Sequence, residues 1–157
     1  MKFSQRVIFM VLLSSLPALV QAQHAAKLQG AWELVSQKEN GQDHPVVGRQ
    51  VKLLTADHYA WARQDKKLVE EQLAKGTQRD SIEAFRDAYG VGTYKVVGDT
   101  YTETTEFFYL PQYIGKSVDF KFTLKGDTWV ISGQYSHYEG DKKVNTVLLE
   151  QTYKRIK

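Results

Sequence analysis

One hairpin is written twice in this chain, 28 positions apart, and it constrains the fold more than any other feature. The first copy reads Tyr94-Lys-Val-Val-Gly98-Asp99-Thr-Tyr101-Thr, the second Phe122-Thr-Leu-Lys-Gly126-Asp127-Thr-Trp129-Val. In each, Gly-Asp separates two strand-like runs, which suits a two-residue turn whose first central position needs a positive φ. Such a turn dictates register. With Gly98-Asp99 as the loop, Val96 pairs with Tyr101 and Tyr94 with Glu103 on one face, while Lys95 meets Thr102 and Thr93 meets Thr104 on the other. The second copy pairs Leu124 with Trp129, Phe122 with Ile131 and Phe120 with Gly133, leaving Lys121 opposite Ser132 and Thr123 opposite Val130. Each hairpin is apolar on one face and wettable on the other, so adjacent hairpins must curl over a shared interior.

The remaining strands follow from alternation. Leu28-Gln-Gly30-Ala-Trp32-Glu-Leu34-Val-Ser36 puts Trp32 and Leu34 on one face, Asn40-Gly41 marks a turn, and residues 46–55 form a second strand with Val51 and Leu53 pointing one way. Residues 58–63 form a third. Between Gln64 and Tyr89 the period turns helical. Asp65 is placed to cap a helix carrying Leu68, Val69, Gln72 and Leu73. Asp80-Ser-Ile-Glu83 has capping-box spacing ahead of a stripe of Ile82, Phe85 and Tyr89. This helical pair is either a packed connector over one end of the sheet or a lid over a ligand mouth. Five strands follow at 91–97, 100–108, 117–125, 128–138 and 144–156, with Gly140-Asp141 as a turn. The loop 110–115 has room for one helical turn. The prediction is an all-β, eight-stranded antiparallel up-and-down barrel with a short helical insert between the third and fourth strands. Closure removes exposed edges and so favours a barrel over a Greek-key sandwich.

Residues 1–22 stand apart from this pattern. Lys2 and Arg6 precede an apolar run that ends in Val20-Gln-Ala22, the layout of a secretory signal peptide cleaved near Ala22. Residues 23–157 then form one domain, with a periplasmic or secreted location and no membrane span in the mature protein. Removal of Lys2 and Arg6 takes the 21 basic side chains to 19 against 18 acidic ones, a balance that leaves no electrostatic footprint for nucleic acid. The chain has no cysteine and four histidines, no two of them at metal-ligand spacing, so the sequence asks for no metal and no cofactor.

The closing text, Leu149-Glu-Gln-Thr-Tyr153-Lys-Arg155, and the opening Gly30-Ala-Trp32-Glu-Leu34-Val-Ser36 together resemble the two ends of the calycins, the superfamily of lipocalins and fatty-acid-binding proteins. The middle segments, Tyr59-Ala-Trp61, Gly92-Thr-Tyr94, Gly98-Asp-Thr-Tyr101-Thr-Glu103 and Gly126-Asp-Thr-Trp129, look like small secreted bacterial lipocalin-like domains of unassigned function. The resemblance implies a lipocalin-like barrel. It also implies a structural pair, Trp32 of the first strand under Arg155 of the last, at the closed end. Two departures stand out: fatty-acid-binding proteins carry their helical pair between the first two strands, and where their last strand has Arg-x-Tyr this chain has Gln151-Thr-Tyr153. Gln151 and Tyr153 can hydrogen-bond a neutral or weakly acidic head group but supply no positive charge.

An eight-stranded barrel is just wide enough to be filled by side chains or to hold one small ligand. The inward faces supply Tyr59, Trp61, Arg63, Tyr94, Val96, Tyr101, Glu103, Val118, Phe120, Phe122, Trp129, Ile131, Leu149, Gln151 and Tyr153. The candidate ligand-binding residues are Tyr59, Trp61, Arg63, Tyr94, Tyr101, Glu103, Phe120, Phe122, Trp129, Gln151 and Tyr153, an aromatic set with a few polar teeth. Arg63 and Glu103 form either a buried ion pair satisfied by tyrosine hydroxyls or a cluster that orients a small hydrophobic or amphipathic ligand. Two other functions stay open: a protein–protein interaction or inhibitor module with a packed barrel, and a lyase or isomerase using Glu103 and Tyr94 as acid and base. No catalytic residue is assigned. The exposed faces read as mixed Lys, Thr, Asp and Glu with no apolar patch.

Overall fold

The computed structural model describes residues 25–75, 89–108 and 110–157. Its strands are β1 (Gly30–Glu39), β2 (Gln42–His44), β3 (Arg49–Leu54), β4 (His58–Gln64), β5 (Tyr89–Val97), β6 (Thr100–Phe107), β7 (Ser117–Lys125), β8 (Thr128–Glu139) and β9 (Lys142–Arg155). Helix α1 (Lys66–Leu73) follows β4, and a 3-10 turn spans Pro111–Tyr113. The predicted leader and the helix proposed after Asp80 lie outside the described residues, apart from Tyr89. That residue opens β5, paired with Ala62, and so belongs to the sheet rather than to a helical stripe.

All nine strands join one antiparallel sheet, and β1 closes it by pairing with β9. Both β2 and β3 sit on the same side of β1, β2 along its C-terminal part and β3 along its N-terminal part. They share one position in the wall, so the nine strands make an eight-position up-and-down barrel. Residues 46–55 were expected as one strand; Pro45, with no N–H to donate, separates β2 from β3. Gly48 also bends the chain between them, at φ 72° and with its Cα packed against the Gln64 carbonyl.

The duplicated hairpins have the predicted registers, Val96 on Tyr101 and Tyr94 on Glu103 in one, Leu124 on Trp129 and Phe122 on Ile131 in the other. Gly98 and Gly126 take φ 61° and 56°, and Asn40 is the sole non-glycine with positive φ among the described residues, so the two aspartates keep ordinary backbone geometry. That is the turn the Gly-Asp order calls for.

Strand β3 keeps Val51 and Leu53 on one face, and that face is the outer one. Trp32 faces inward, and antiparallel partners share a face, so Lys52, paired with Trp32, faces inward too. Lys52 and Leu54 are buried, whereas Leu53 is 51% exposed. Leu53 belongs to an apolar row across the outer wall, running Ala31–Leu53–Ala60–Val91–Phe107 over five strands by register. This row replaces the patch-free exterior read from the sequence.

Two β-bulges re-aim side chains. On β1, Leu34 pairs with Tyr153 but Ser36 with Thr152, so Val35 is the extra residue and Gln37 turns inward. On β6, Thr105 pairs with Gly92 but Phe107 with Val91, so Glu106 is extra. Phe107 is thereby thrown outward at 62% exposure, and Phe108 turns toward the interior.

Candidate ligand site

The barrel interior is a column of aromatic rings rising from the closed end. Arg155 lies 4.1 Å above the Trp32 ring and donates to the carbonyls of Gln29 (2.7 Å) and Lys27 (2.6 Å), tying the chain entry to the last strand. Trp32 meets Trp129 at 5.5 Å between centroids, and Trp129 stacks on Tyr153 at 4.9 Å and takes Tyr101 edge-on at 5.2 Å. Trp32, Trp129, Tyr101 and Tyr153 are fully buried. The Trp32 indole donates to Leu28 O at 2.7 Å, whereas the Trp129 indole N–H is buried with no partner among the described residues.

Above this column sits Lys52. Its ammonium donates to Glu103 Oε1 at 2.5 Å, and the same oxygen accepts from the Tyr101 hydroxyl at 2.7 Å. Four rings surround the cation, Tyr153 at 5.3 Å, Tyr59 at 5.5 Å, Trp129 at 5.7 Å and Tyr101 at 6.0 Å, all within cation–π range. Burial alone would push the Lys52 ammonium down, but the Glu103 carboxylate and the nearby phenols outweigh it and hold the group above the usual lysine range. Burial, reinforced by the charge of Glu103, raises the hydroxyls of Tyr101 and Tyr59, the latter to about 12. Tyr153 is also raised by burial, against the opposing effect of Lys52.

The partner of Glu103 is therefore Lys52, in place of the Arg63 expected from the sequence. Arg63 is half-buried on β4, opposite Gln50, toward the end of the barrel that carries α1. Tyr94 pairs with Glu103 in register, yet its hydroxyl donates to Thr55 O at 2.7 Å, so the two do not form an acid–base pair. Gln151 accepts from Tyr153 at 2.9 Å and donates to Gln37 at 2.9 Å, which places it in a wall network rather than on open space. Phe122 lines a separate groove of about 240 Å³ with Leu124, Lys27 and the Gly98-Asp99 turn.

A partly open cavity of about 110 Å³ lies over the Lys52–Glu103 pair. Tyr59, Glu103 and Phe120 form its floor, Trp61, Phe108 and Val118 its walls, and Tyr113, Tyr135, Tyr138 and Lys116 its rim. The 3-10 turn carries Tyr113 into the rim, stacked at 6.1 Å on Tyr135 and edge-on at 5.5 Å to both Phe108 and Tyr138. The Tyr138 N–H donates to the Tyr113 hydroxyl at 3.2 Å, and Lys116 caps the Tyr138 ring at 5.3 Å. Of the predicted ligand residues, Tyr59, Trp61, Glu103 and Phe120 meet here. Tyr101, Trp129 and Tyr153 form the packed support beneath.

Sequence reasoning missed Lys52, Phe108, Tyr113, Tyr135 and Tyr138. The one available signal was the aromatic content at the end of the 100–108 strand and in the 110–115 loop, which was read only as a connector. Among the described residues, no cluster of three or more His, Cys, Asp or Glu forms a metal site, and no helix is long and apolar enough to cross a membrane.

The fold is a lipocalin-like barrel. It is similar in structure to a lipocalin-like protein from Bacteroides uniformis ATCC 8492, with TM-score 0.49 and 14% identity over 82% of this chain and 98% of that one. It is likewise similar to an uncharacterized protein from Bacteroides eggerthii DSM 20697, with TM-score 0.48 and 12% identity over 82% and 98% of the respective chains. No protein-family model matches the sequence, and no curated protein matches it.

Two predictions concern the buried pair and the phenol beside it. Lys52→Met leaves Glu103 without its cation and lowers stability by about 3–5 kcal/mol in denaturant titration, while Lys52→Met with Glu103→Leu returns it to within about 1 kcal/mol of the parent or above. The second concerns pH. A folded-state phenol pKa raised above its unfolded value contributes stability that is complete below the unfolded pKa and is lost as pH climbs through the folded one. With Tyr59 raised from 10.0 to about 12, stability holds up to about pH 10 and falls between there and about pH 12, followed by phenolate absorbance alongside circular dichroism.

Proposed function

We propose that this chain is exported, loses residues 1–22, and binds a small hydrophobic or amphipathic molecule in the cavity at the loop end of its barrel. The observation that carries the reading is the cavity itself, walled by aromatic rings and floored by a carboxylate already fixed by a lysine and a tyrosine. A barrel built only to be packed has no need of a charged pair at the base of an opening, given the cost of taking both ions out of water. The volume of about 110 Å³ is well below the roughly 300–1,000 Å³ of pockets for drug-sized ligands. The occupant is thus a small molecule, or the head of a larger one whose remainder passes the tyrosine rim.

Native mass spectrometry of protein expressed with its own leader tests both halves: the expected species lacks residues 1–22 and carries a co-purified small molecule. In the same preparation Trp61→Ala weakens binding of Nile red by about tenfold, the scale of losing one aromatic contact at a pocket wall. Unchanged dye affinity in that variant overturns the assignment of the cavity.

The outer apolar row supports a second reading, a surface covered by a protein partner. Phe107→Lys then abolishes any concentration-dependent association seen in sedimentation velocity; parent protein that stays monomeric and captures nothing from an envelope extract counts against it.

A further inference from the structure

The cavity floor specifies the head group of the ligand, on the premise that the cavity is a binding site. Glu103 presents two oxygens of unequal standing. Oε1 accepts from Lys52 and Tyr101, whereas the other oxygen receives no hydrogen bond among the described residues, and the side chain lines the cavity. A carboxylate oxygen has only acceptor capacity, so what meets it must donate a proton to a hydrogen bond.

Charge narrows the choice. The Lys52 ammonium offsets the Glu103 carboxylate at contact distance, and among the described residues that line the cavity the remaining cation is Lys116 on the rim, over Tyr138. An ammonium head would enter past Lys116 and come to rest beside Lys52, repelled by both. A carboxylate head would be drawn to Lys116 but would set its oxygens against the open oxygen of Glu103. A neutral donor meets neither penalty. The rings that share the cavity with Glu103, Trp61 and Phe108 of the walls and Phe120 of the floor, offer faces and edges, and this partly open space of about 110 Å³ is of the order of the roughly 150 Å³ apolar cavity known to accept benzene. We infer that the site takes a small, neutral, hydroxyl-bearing ring compound, its hydroxyl donating to the free oxygen of Glu103 and its ring held between Trp61 and Phe120.

The test compares phenol, anisole and benzoate by isothermal titration of the mature protein. Phenol and anisole have similar shape, but only phenol donates. The expected result is phenol binding about tenfold more tightly than anisole, the increment of a hydrogen bond to a charged acceptor, with benzoate weaker than phenol. Glu103→Gln risks the fold by stranding Lys52, so the control is Lys52→Met with Glu103→Leu, in which phenol and anisole bind equally. Anisole or benzoate matching or exceeding phenol overturns the inference, as does a phenol preference that survives in the double variant. If none of the three binds while Nile red binds in a Trp61-dependent manner, the head-group assignment fails and the cavity reading stands; if Nile red fails as well, both fall.

Discussion

A lysine held inside a box of aromatic rings sets the terms for the rest of this barrel. Three steps around the wall separate β3 from β6, and the Lys52–Glu103 contact bridges that interior at mid-height. Its attraction must offset the removal of two ions from water, which is why the surroundings are so specific: a phenol on the carboxylate, and four ring faces around the ammonium. The pair also divides the interior. Below it the rings of Tyr101, Tyr153, Trp129 and Trp32 fill the space, and above it they part to leave the cavity.

The sequence was most informative where the backbone leaves no slack. A two-residue turn fixes the partners of every residue beyond it, so both Gly-Asp hairpins could be registered pair by pair, and with them the inward face of Tyr94, Tyr101, Phe120 and Trp129. Between β1 and β3 the chain passes through β2, Pro45 and Gly48, and no turn rule carries register across that stretch. Hydrophobic alternation puts Val51 and Leu53 on one face but does not say which side of the wall that face takes, and the outer wall is itself apolar there. Lys52, on the opposite face of the same strand, therefore went unassigned. The bulges at Val35 and Glu106 explain the rest: period-two reasoning assigns Gln37 and Phe108 outward, and an extra residue reverses each. Tyr113 sits in a loop, where periodicity has nothing to say.

Arg155 shows how the closed end is held without an extended core. One guanidinium stacks on Trp32, donates to two carbonyls of the entering chain and lies near Asp127 of the β7–β8 turn. Its planar fork serves three tasks that an ammonium on a flexible stem would not serve together.

Strand β2 has a consequence for how this protein behaves in a crowded solution. A closed barrel has no free sheet edge where its strands all pair, but the ends of β8 and β9 reach past β7 and β1, and β2 pairs only with β1, so its far side presents a short stretch of unpaired backbone. Three residues, Gln42, Asp43 and His44, form that ledge, with the Asp43 charge 3.8 Å from Lys38 and Pro45 immediately after. A foreign strand adding there would gain few hydrogen bonds, meet charge, and run into a residue with no N–H to offer. The break that splits the second strand thus doubles as a guard against sheet-to-sheet growth at that ledge.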